Sequence, residues 1–279
     1  MADAMQRILG YMRKAIQEFN LIENGDKIAV GVSGGKDSLV LLTGLYRLKR
    51  FIGIDYEIVA VTLDPRFGGV DTDYTPVRKM CEEFGIEYIV KPTDIGEVVF
   101  DVYKAENPCS LCARMRRGAL HEVAKELGCN KLALGHNYDD VVETFIMNLF
   151  QEGRIGCFAP IAYLSRRDLF VIRPLVFAPE KDVRAAANAK EMPVVKSKCP
   201  VDGKTNRQKT KEWLRDMDKK DSGFTYRMFG ALRRSGVDGW GYPEMQKKMF
   251  ESGEGTPEEN RLKYLSTAGK YRVQKQEED

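Results

Sequence analysis

Long apolar runs are missing from this 279-residue chain. No stretch of about 18 apolar residues exists, so no membrane-spanning helix is expected. The opening MADAMQRILG has no signal-peptide core, and a cytoplasmic location is expected. An excess of charge is missing too. Lys+Arg number 44 and Asp+Glu 41, a net charge of +3, so any basic surface for a nucleic acid must be local. Internal repeats are absent. Cysteine is sparse: six residues, which in a cytoplasmic chain of this length read as ligands, catalysts or buried thiols rather than disulfides. Neither of two familiar phosphate-binding patterns is present. The Walker loop needs a longer spacing to its Gly-Lys and a Ser or Thr after it, and the GxGxxG dinucleotide signature does not occur.

What is present is KIAVGVSGGKDS, Lys27 to Ser38. Ile28, Ala29, Val30 and Val32 form a short apolar run of the kind buried in parallel sheets. Gly34 and Gly35 let the backbone turn tightly and approach a ligand. Asp37 and Ser38 open a helix that continues to Arg50, and backbone N–H groups at a helix N-terminus bind anions. A plain strand–helix turn would need less than Ser33, two glycines and Lys36-Asp37-Ser38. The segment resembles the SGGKDS signature of the PP-loop ATP pyrophosphatases. That resemblance implies cleavage of ATP between its α- and β-phosphates, adenylation of a substrate, and ATP on Ser33, Gly34, Gly35, Lys36, Asp37 and Ser38.

The rest of the pattern alternates strand and helix. Ala4–Leu21 is an amphipathic helix, expected beside the sheet or against a partner subunit. Strands are expected at Tyr56–Leu63, Ile86–Lys91, from Leu132 to Leu134 and at Phe170–Leu175. Helices are expected at Asp71–Phe84, Ile95–Tyr103, Tyr138–Phe150, Pro179–Ala189, Lys204–Lys219 and Phe224–Arg234. With no hairpin signal, this predicts an α/β protein with a doubly wound, mostly parallel sheet. Ligands in such sheets sit beyond the carboxyl ends of the strands. Thr62, Leu63 and Asp64 are therefore placed near the adenosine, with an ordinary strand exit as the equal alternative. The domain reading is a helix at 1–24, the ATPase domain at 25–200, a basic helical extension at 201–234 and a loosely held tail at 235–279, with helix at Pro243–Phe250 and Pro257–Tyr264. At 43% hydrophobic and 30% charged, the chain can bury a sizeable core.

Cys109 and Cys112 form C-x-x-C at the start of an apparent helix. Alone the pair reads as a redox couple, half a zinc site or part of an iron–sulfur site. No second C-x-x-C exists to complete a four-ligand zinc site. Cys81, Cys129 and Cys157 read as small buried thiols, while Cys199 sits in the polar loop KSKCPVDGKTNRQ. GHNYDD follows the fourth strand. His136 is either a satisfied core histidine or a site residue, and Asp139 and Asp140 are placed to cap the next helix. Arg114, Arg116 and Arg117 follow the C-x-x-C; Arg207, Lys209 and Lys211 follow Cys199. Such runs are commonly solvated faces, but lysine and arginine are also what holds RNA phosphates. Phe224–Phe229 offers aromatics for the core or for stacking on an unpaired base.

A C-x-x-C with an arginine-rich helix, then Gly135-His136-Asn137-Tyr138-Asp139-Asp140, then one later Cys-Pro loop, resembles the tRNA 2-thiocytidine synthetase family and the neighbouring tRNA 2-thiouridine synthetases. The similarity covers roughly 26–215. It implies a 4Fe-4S cluster held by Cys109, Cys112 and Cys199 with one iron free of protein ligands. It also implies Asp140 and Arg116 at the reacting centre, Gly135 and His136 at the nucleotide, and Mg²⁺ on Asp37. The tRNA would lie along Arg114, Arg117, Arg207, Lys209 and Lys211. The Cys199 loop carries one cysteine where some members have C-x-x-C, and terminal zinc-finger cysteines of the thiouridine enzymes are absent, which favours the thiocytidine group.

The implied reaction is ATP-dependent replacement of a pyrimidine oxygen by sulfur, at the cytidine opening the tRNA anticodon loop. Sulfur would come from a cysteine desulfurase or free sulfide, and a homodimer is expected. Two other readings stand beside it: a cluster-free PP-loop enzyme using cysteine persulfide, and a nucleotide-binding sensor of oxygen or iron.

Overall fold

The computed structural model describes residues 3–104, 108–201, 203 and 206–241. Its elements are α1 (Ala4–Phe19), β1 (Asp26–Gly31), α2 (Lys36–Leu48), β2 (Tyr56–Asp64), α3 (Thr75–Phe84), β3 (Glu87–Pro92), and α4 (Ile95–Glu97), which runs into a π-helical stretch at Val98–Val102. There follow α5 (Pro108–Glu126), β4 (Lys131–Ala133), α6 (Tyr138–Phe150), β5 (Ile161–Leu164), β6 (Leu169–Ile172), α7 (Glu180–Ala189), α8 (Asn206–Lys220) and α9 (Phe224–Ser235). The helices expected at Pro243–Phe250 and Pro257–Tyr264 lie outside the described residues.

The strands form one sheet in the order β3-β2-β1-β4-β6-β5. All neighbours run parallel except β5 and β6. Side chains alternate across each strand. Ile28 and Val30 of β1 join the large core with α1, α2, α6 and α7, whereas Ala29, Val59, Val61, Leu63 and Leu132 face a smaller core under α5. Helices on both faces make the sheet doubly wound, as the strand–helix alternation predicts. The β5–β6 hairpin corrects the expectation of no hairpin. Its turn, Ser165-Arg166-Arg167-Asp168, has no glycine, proline or asparagine, and Asp168 itself adopts the left-handed conformation at φ 44°. No turn chemistry in the sequence announces it.

α1 ends at Phe19 because Asn20 turns left-handed at φ 48° and its N–H returns to Ile16 O. Its apolar face, Met5, Ile8, Leu9, Met12, Ile16 and Phe19, is buried within this chain. The stretch after Ser235, expected to be loosely held, contains Trp240, which is 1% exposed. Trp240 packs edge-on against Phe19 and Phe229 and donates Nε1–H to Phe158 O at 2.9 Å. Buried indole rings of this kind contribute several kcal/mol.

The strand order reverses between β1 and β4, and the crevice at their carboxyl ends is where such sheets take ligands. The opposite end is locked. Lys131 Nζ and Asp26 Oδ2 pair at 2.8 Å, both almost fully buried, and Asn130 Nδ2 donates to Asp26 Oδ1 at 2.7 Å. These contacts hold β1 and β4 in register beneath the crevice.

Candidate active site

The loop between β1 and α2 is built by its small residues. Gly34 adopts φ 81°, and a Cβ there would lie 2.9 Å from Val195 Cβ. Ser38 Oγ donates to Gly35 O at 2.8 Å and accepts from Ser33 N at 3.2 Å. Gly135, from the loop after β4, packs on the first turn of α2; a Cβ there would be 3.1 Å from Asp37 C and Ser38 N. Two loops that no spacing rule joins thus meet at a helix N-terminus, where the first backbone N–H groups have no partner within the helix.

A network of charges spreads from that point. Asn137 caps α6, accepting from Asp139 N and Asp140 N, while Asp140 Oδ2 accepts from Asn137 N at 2.9 Å. Asn137 Nδ2 donates to Asp37 Oδ1 at 2.9 Å, tying the α6 cap to the phosphate-type loop. Asp140 Oδ1 and Glu143 Oε2 share Arg207 NH1 at 3.2 and 3.3 Å. Lys36 Nζ lies 2.8 Å from Asp37 and 3.1 Å from Glu180, and Glu180's other oxygen lies 2.7 Å from Lys211 Nζ.

Burial opposes the charge on Lys36, but Asp37 and Glu180 outweigh it and hold its pKa above the ordinary lysine value. Glu180 is the mirror case: burial opposes its charge, yet Lys211 and Lys36 pull it down to about 2. Asp139 and Asp140 are both held above the usual carboxylate range by burial, against the Glu180 backbone N–H for the first and the Asn137 N–H and Arg207 for the second. Burial, with Asp140 beside it, pushes Glu143 up to about 7. His136 is driven well below its ordinary value by burial and then by Arg173, Arg207 and Arg117, so the ring is neutral. Its ring lies tilted against Phe158 with centroids 4.8 Å apart, and its Nδ1 is buried without a hydrogen-bond partner among the described residues.

Beyond β2 the arrangement is different. Thr62 Oγ1 donates to Val32 O at 2.6 Å. Asp64 accepts from Thr72 N, Thr72 Oγ1 and Arg66 N, and Leu63 lies in the smaller core. These side chains are committed to the protein, and the Asp64 carbonyl accepts from Thr93 N at 2.8 Å.

The thiols lie on the other side of the loop. Burial raises both Cys109 and Cys112, and Cys199 raises each further, so the three sulfurs sit within one another's fields. Arg116 pulls Cys112 back down and also acts on the Tyr74 hydroxyl, which burial raises; Tyr74 in turn borders Gly34. Cys199 is brought in by the 195–199 segment: Val195 N donates to Gly34 O at 2.9 Å, and Lys198 Nζ bonds Asp71 O at 3.2 Å. Cys81, Cys129 and Cys157 are buried elsewhere.

Among the described residues no three His, Cys, Asp or Glu side chains converge on one metal ion. A zinc ion gathers its thiolates within a single coordination sphere. In an iron–sulfur cluster each thiolate meets its own iron. Of the basic residues, Arg207 and Lys211 are drawn into the carboxylate network, while Arg114, Arg117 and Lys209 are exposed. Glu143, Glu180, Asn137 and Val195 were not legible as site residues. Glu143 follows Asp140 at helical spacing and Asn137 caps the same helix, which are the local signals among them; Glu180 and Val195 act through contacts distant in sequence.

A glycine loop at the switch point of a parallel sheet, opening a helix with Lys-Asp-Ser and lacking the Walker and dinucleotide patterns, defines a PP-loop nucleotide-binding protein. Residues 8–216 match the family model for the ATP_bind_3 PP-loop domain. The chain is 41% identical over 222 residues to tRNA-cytidine(32) 2-sulfurtransferase of Syntrophotalea carbinolica, covering 78% of this chain and 85% of that protein. To the enzyme of the same name from Ralstonia pickettii it is 36% identical, covering 81% and 72%. Among solved structures it resembles U34-tRNA thiolase NcsA from Methanococcus maripaludis with its 4Fe-4S cluster, at TM-score 0.67 and 29% identity over 81% of this chain and 78% of that one. The chain belongs to the PP-loop family and, within it, to the tRNA-cytidine(32) 2-sulfurtransferases.

Proposed function

We infer that the protein is an ATP-dependent tRNA sulfurtransferase that converts the cytidine opening the anticodon loop to 2-thiocytidine. The observation that carries this reading is the joining of a nucleotide loop to a thiol site by one hydrogen bond, Val195 N to Gly34 O. The names of the relatives supply the substrate class and the base.

ATP rests its phosphates on the Ser33–Ser38 turn and the N-terminus of α2. Lys36 leaves its carboxylates to meet the phosphates, and Asp37 is the carboxylate placed to hold Mg²⁺. The cytosine carbonyl oxygen attacks the α-phosphorus and pyrophosphate leaves, so that oxygen departs later as part of AMP. The adenylated carbon then accepts sulfur. Cys109, Cys112 and Cys199 are the residues that would hold a 4Fe-4S cluster, and its chemistry would be to present sulfide on an iron without a protein ligand. Burial raises Cys109 and Cys112, so cluster loading must release their protons. Arg116, whose charge reaches both Cys112 and the Tyr74 hydroxyl, is the residue proposed to meet negative charge developing on the phosphate. Asp140, buried and tied to Arg207, orients the α6 cap that holds Asp37.

No helix among the described residues is long and apolar enough to cross a membrane, and a cytoplasmic site of action is proposed on the substrate. A cysteine desulfurase or free sulfide is proposed as sulfur source. The proposed homodimer draws support from the exposed Phe150, Ile155 and Trp213 rather than from α1.

The test is anaerobic purification with iron and sulfide assay, then incubation with ATP and unmodified tRNA. About four iron and four sulfide per chain, lost in Cys199→Ala, with pyrophosphate release and 2-thiocytidine in the product, is the expected result. Zinc or no metal in active wild-type protein would transfer the chemistry to a persulfide on cysteine.

A further inference from the structure

We propose that the groove between α7, α8 and α9 binds a nucleotide of the substrate RNA next to the one being modified. The proposal rests on the tRNA-modifying reading above and adds a place for the RNA chain. The groove has a volume of about 580 Å³, and Glu180 in its lining lies 3.1 Å from Lys36 of the phosphate loop. Cavities of this size suit a small ligand or one nucleotide. Phe177 and Pro179 line it as an apolar floor, and Tyr226 stands on its rim, 74% exposed. A solvent-exposed tyrosine over an apolar floor is what an unstacked base needs, because every base presents a face to an aromatic ring.

The groove is lined by three cations and three carboxylates, and they are not equally engaged. Its acids are spent: Asp218 accepts from Thr225 N and Oγ1, Asp139 from Glu180 N, and Glu180 serves Lys36 and Lys211. Of its bases, Arg184 pairs with Glu180 at 3.3 Å while staying half exposed. Lys181 and Arg215 also line the groove and are exposed, with no ion pair among the described residues. Two exposed cations without an ion pair among the described residues and a ring at the rim match the two halves of a nucleotide, phosphate and base. Glu180 joins the two sites directly: its backbone N–H meets Asp139 in the groove, and its carboxylate meets Lys36 in the phosphate loop. An RNA strand held there runs toward the adenylation site.

The experiment measures equilibrium binding of an unmodified tRNA transcript at two salt concentrations, and of a non-hydrolysable ATP analogue. Wild type is compared with Tyr226→Ala, Tyr226→Phe and the double variant Lys181→Ala/Arg215→Ala. Loss of one stacking contact should weaken tRNA binding roughly five- to a hundredfold in Tyr226→Ala, with Tyr226→Phe near wild type. The double variant should lower the dependence of log affinity on log salt by about one to two. ATP-analogue affinity should stay unchanged in all of them. If wild type binds tRNA and Tyr226→Ala binds it equally well, the groove proposal is overturned and the sulfurtransferase reading stands. If wild type does not bind tRNA, both fall.

Discussion

The backbone N–H of Val195 donates to the carbonyl of Gly34 at 2.9 Å, and the Val195 side chain fills the space where any larger residue at position 34 would need room. Val195 is a few residues before Cys199, so the loop that takes ATP also seats the segment carrying the third thiol. Gly34→Ala must force a left-handed alanine against Val195, a strain of about 1–3 kcal/mol. ATP-analogue affinity should drop roughly tenfold or more, and iron content should drop with it. Calorimetric titration and iron assay on the same preparation check this; loss of ATP binding with full iron would show the two sites to be independent.

Glu143 sets one pH dependence. Burial lifts it from 4.5 to about 7, so between those values the folded protein holds a proton that the unfolded chain has lost. Its contribution is complete below about 4.5 and falls away as pH rises through about 7, by at most about 3 kcal/mol. Thermal unfolding of Glu143→Gln should show a smaller decline from pH 5 to pH 8 than wild type. Equal slopes would remove Glu143 as the titrating group.

Glu180 sets the opposite one. Two lysines hold it at about 2, so its contribution is present above the ordinary glutamate value of 4.5 and is lost as pH falls toward 2. Lys36 and Lys211 are each about a quarter exposed, which limits the gain to about 1–2 kcal/mol. Glu180→Gln should unfold at lower temperature than wild type at pH 7, and the gap should narrow at pH 3. Lys36, freed of one partner, should also bind an ATP analogue with altered affinity, whereas Lys209→Ala, on the exposed side of α8, should change neither reading.

Trp240→Ala empties a fully buried site and leaves Phe158 O without its donor, a cost of about 3–5 kcal/mol. Trp240→Phe should keep most of the packing and lose the hydrogen bond. Chemical denaturation midpoints of the three proteins rank them; identical midpoints would mean that the segment after α9 carries no stability.

How much of this was legible depended on distance along the chain. The phosphate loop, the C-x-x-C helix and the α6 start were readable because glycine turns, caps and helical periodicity are local properties. Grouping Cys199 with Cys109 and Cys112 came from family resemblance; the spacing alone left zinc and redox readings open. Glu180 read merely as a residue after a helix-starting proline, because nothing local reports that Lys36 lies across from it. Thr62 and Asp64 sat at the right end of β2, but the sequence could not say that their side chains were already taken by Val32 O and the Thr72 turn. The β5–β6 hairpin escaped notice because its left-handed residue is an aspartate. Trp240 escaped because its neighbourhood is rich in glycine and charge, a composition that describes the surface of that segment and hides one anchoring ring.

α1 has a consequence for biosynthesis. Its partners arrive late: Arg7 pairs with Asp182, 175 residues on, and Glu18 with Arg233, 215 residues on. At roughly 5–20 residues per second, translation leaves the first helix without those partners for on the order of ten to forty seconds. During that interval an apolar stripe waits for part of its cover. The protein's yield in a cell is therefore set in part by what shields α1 while the ribosome is still making α7 and α9.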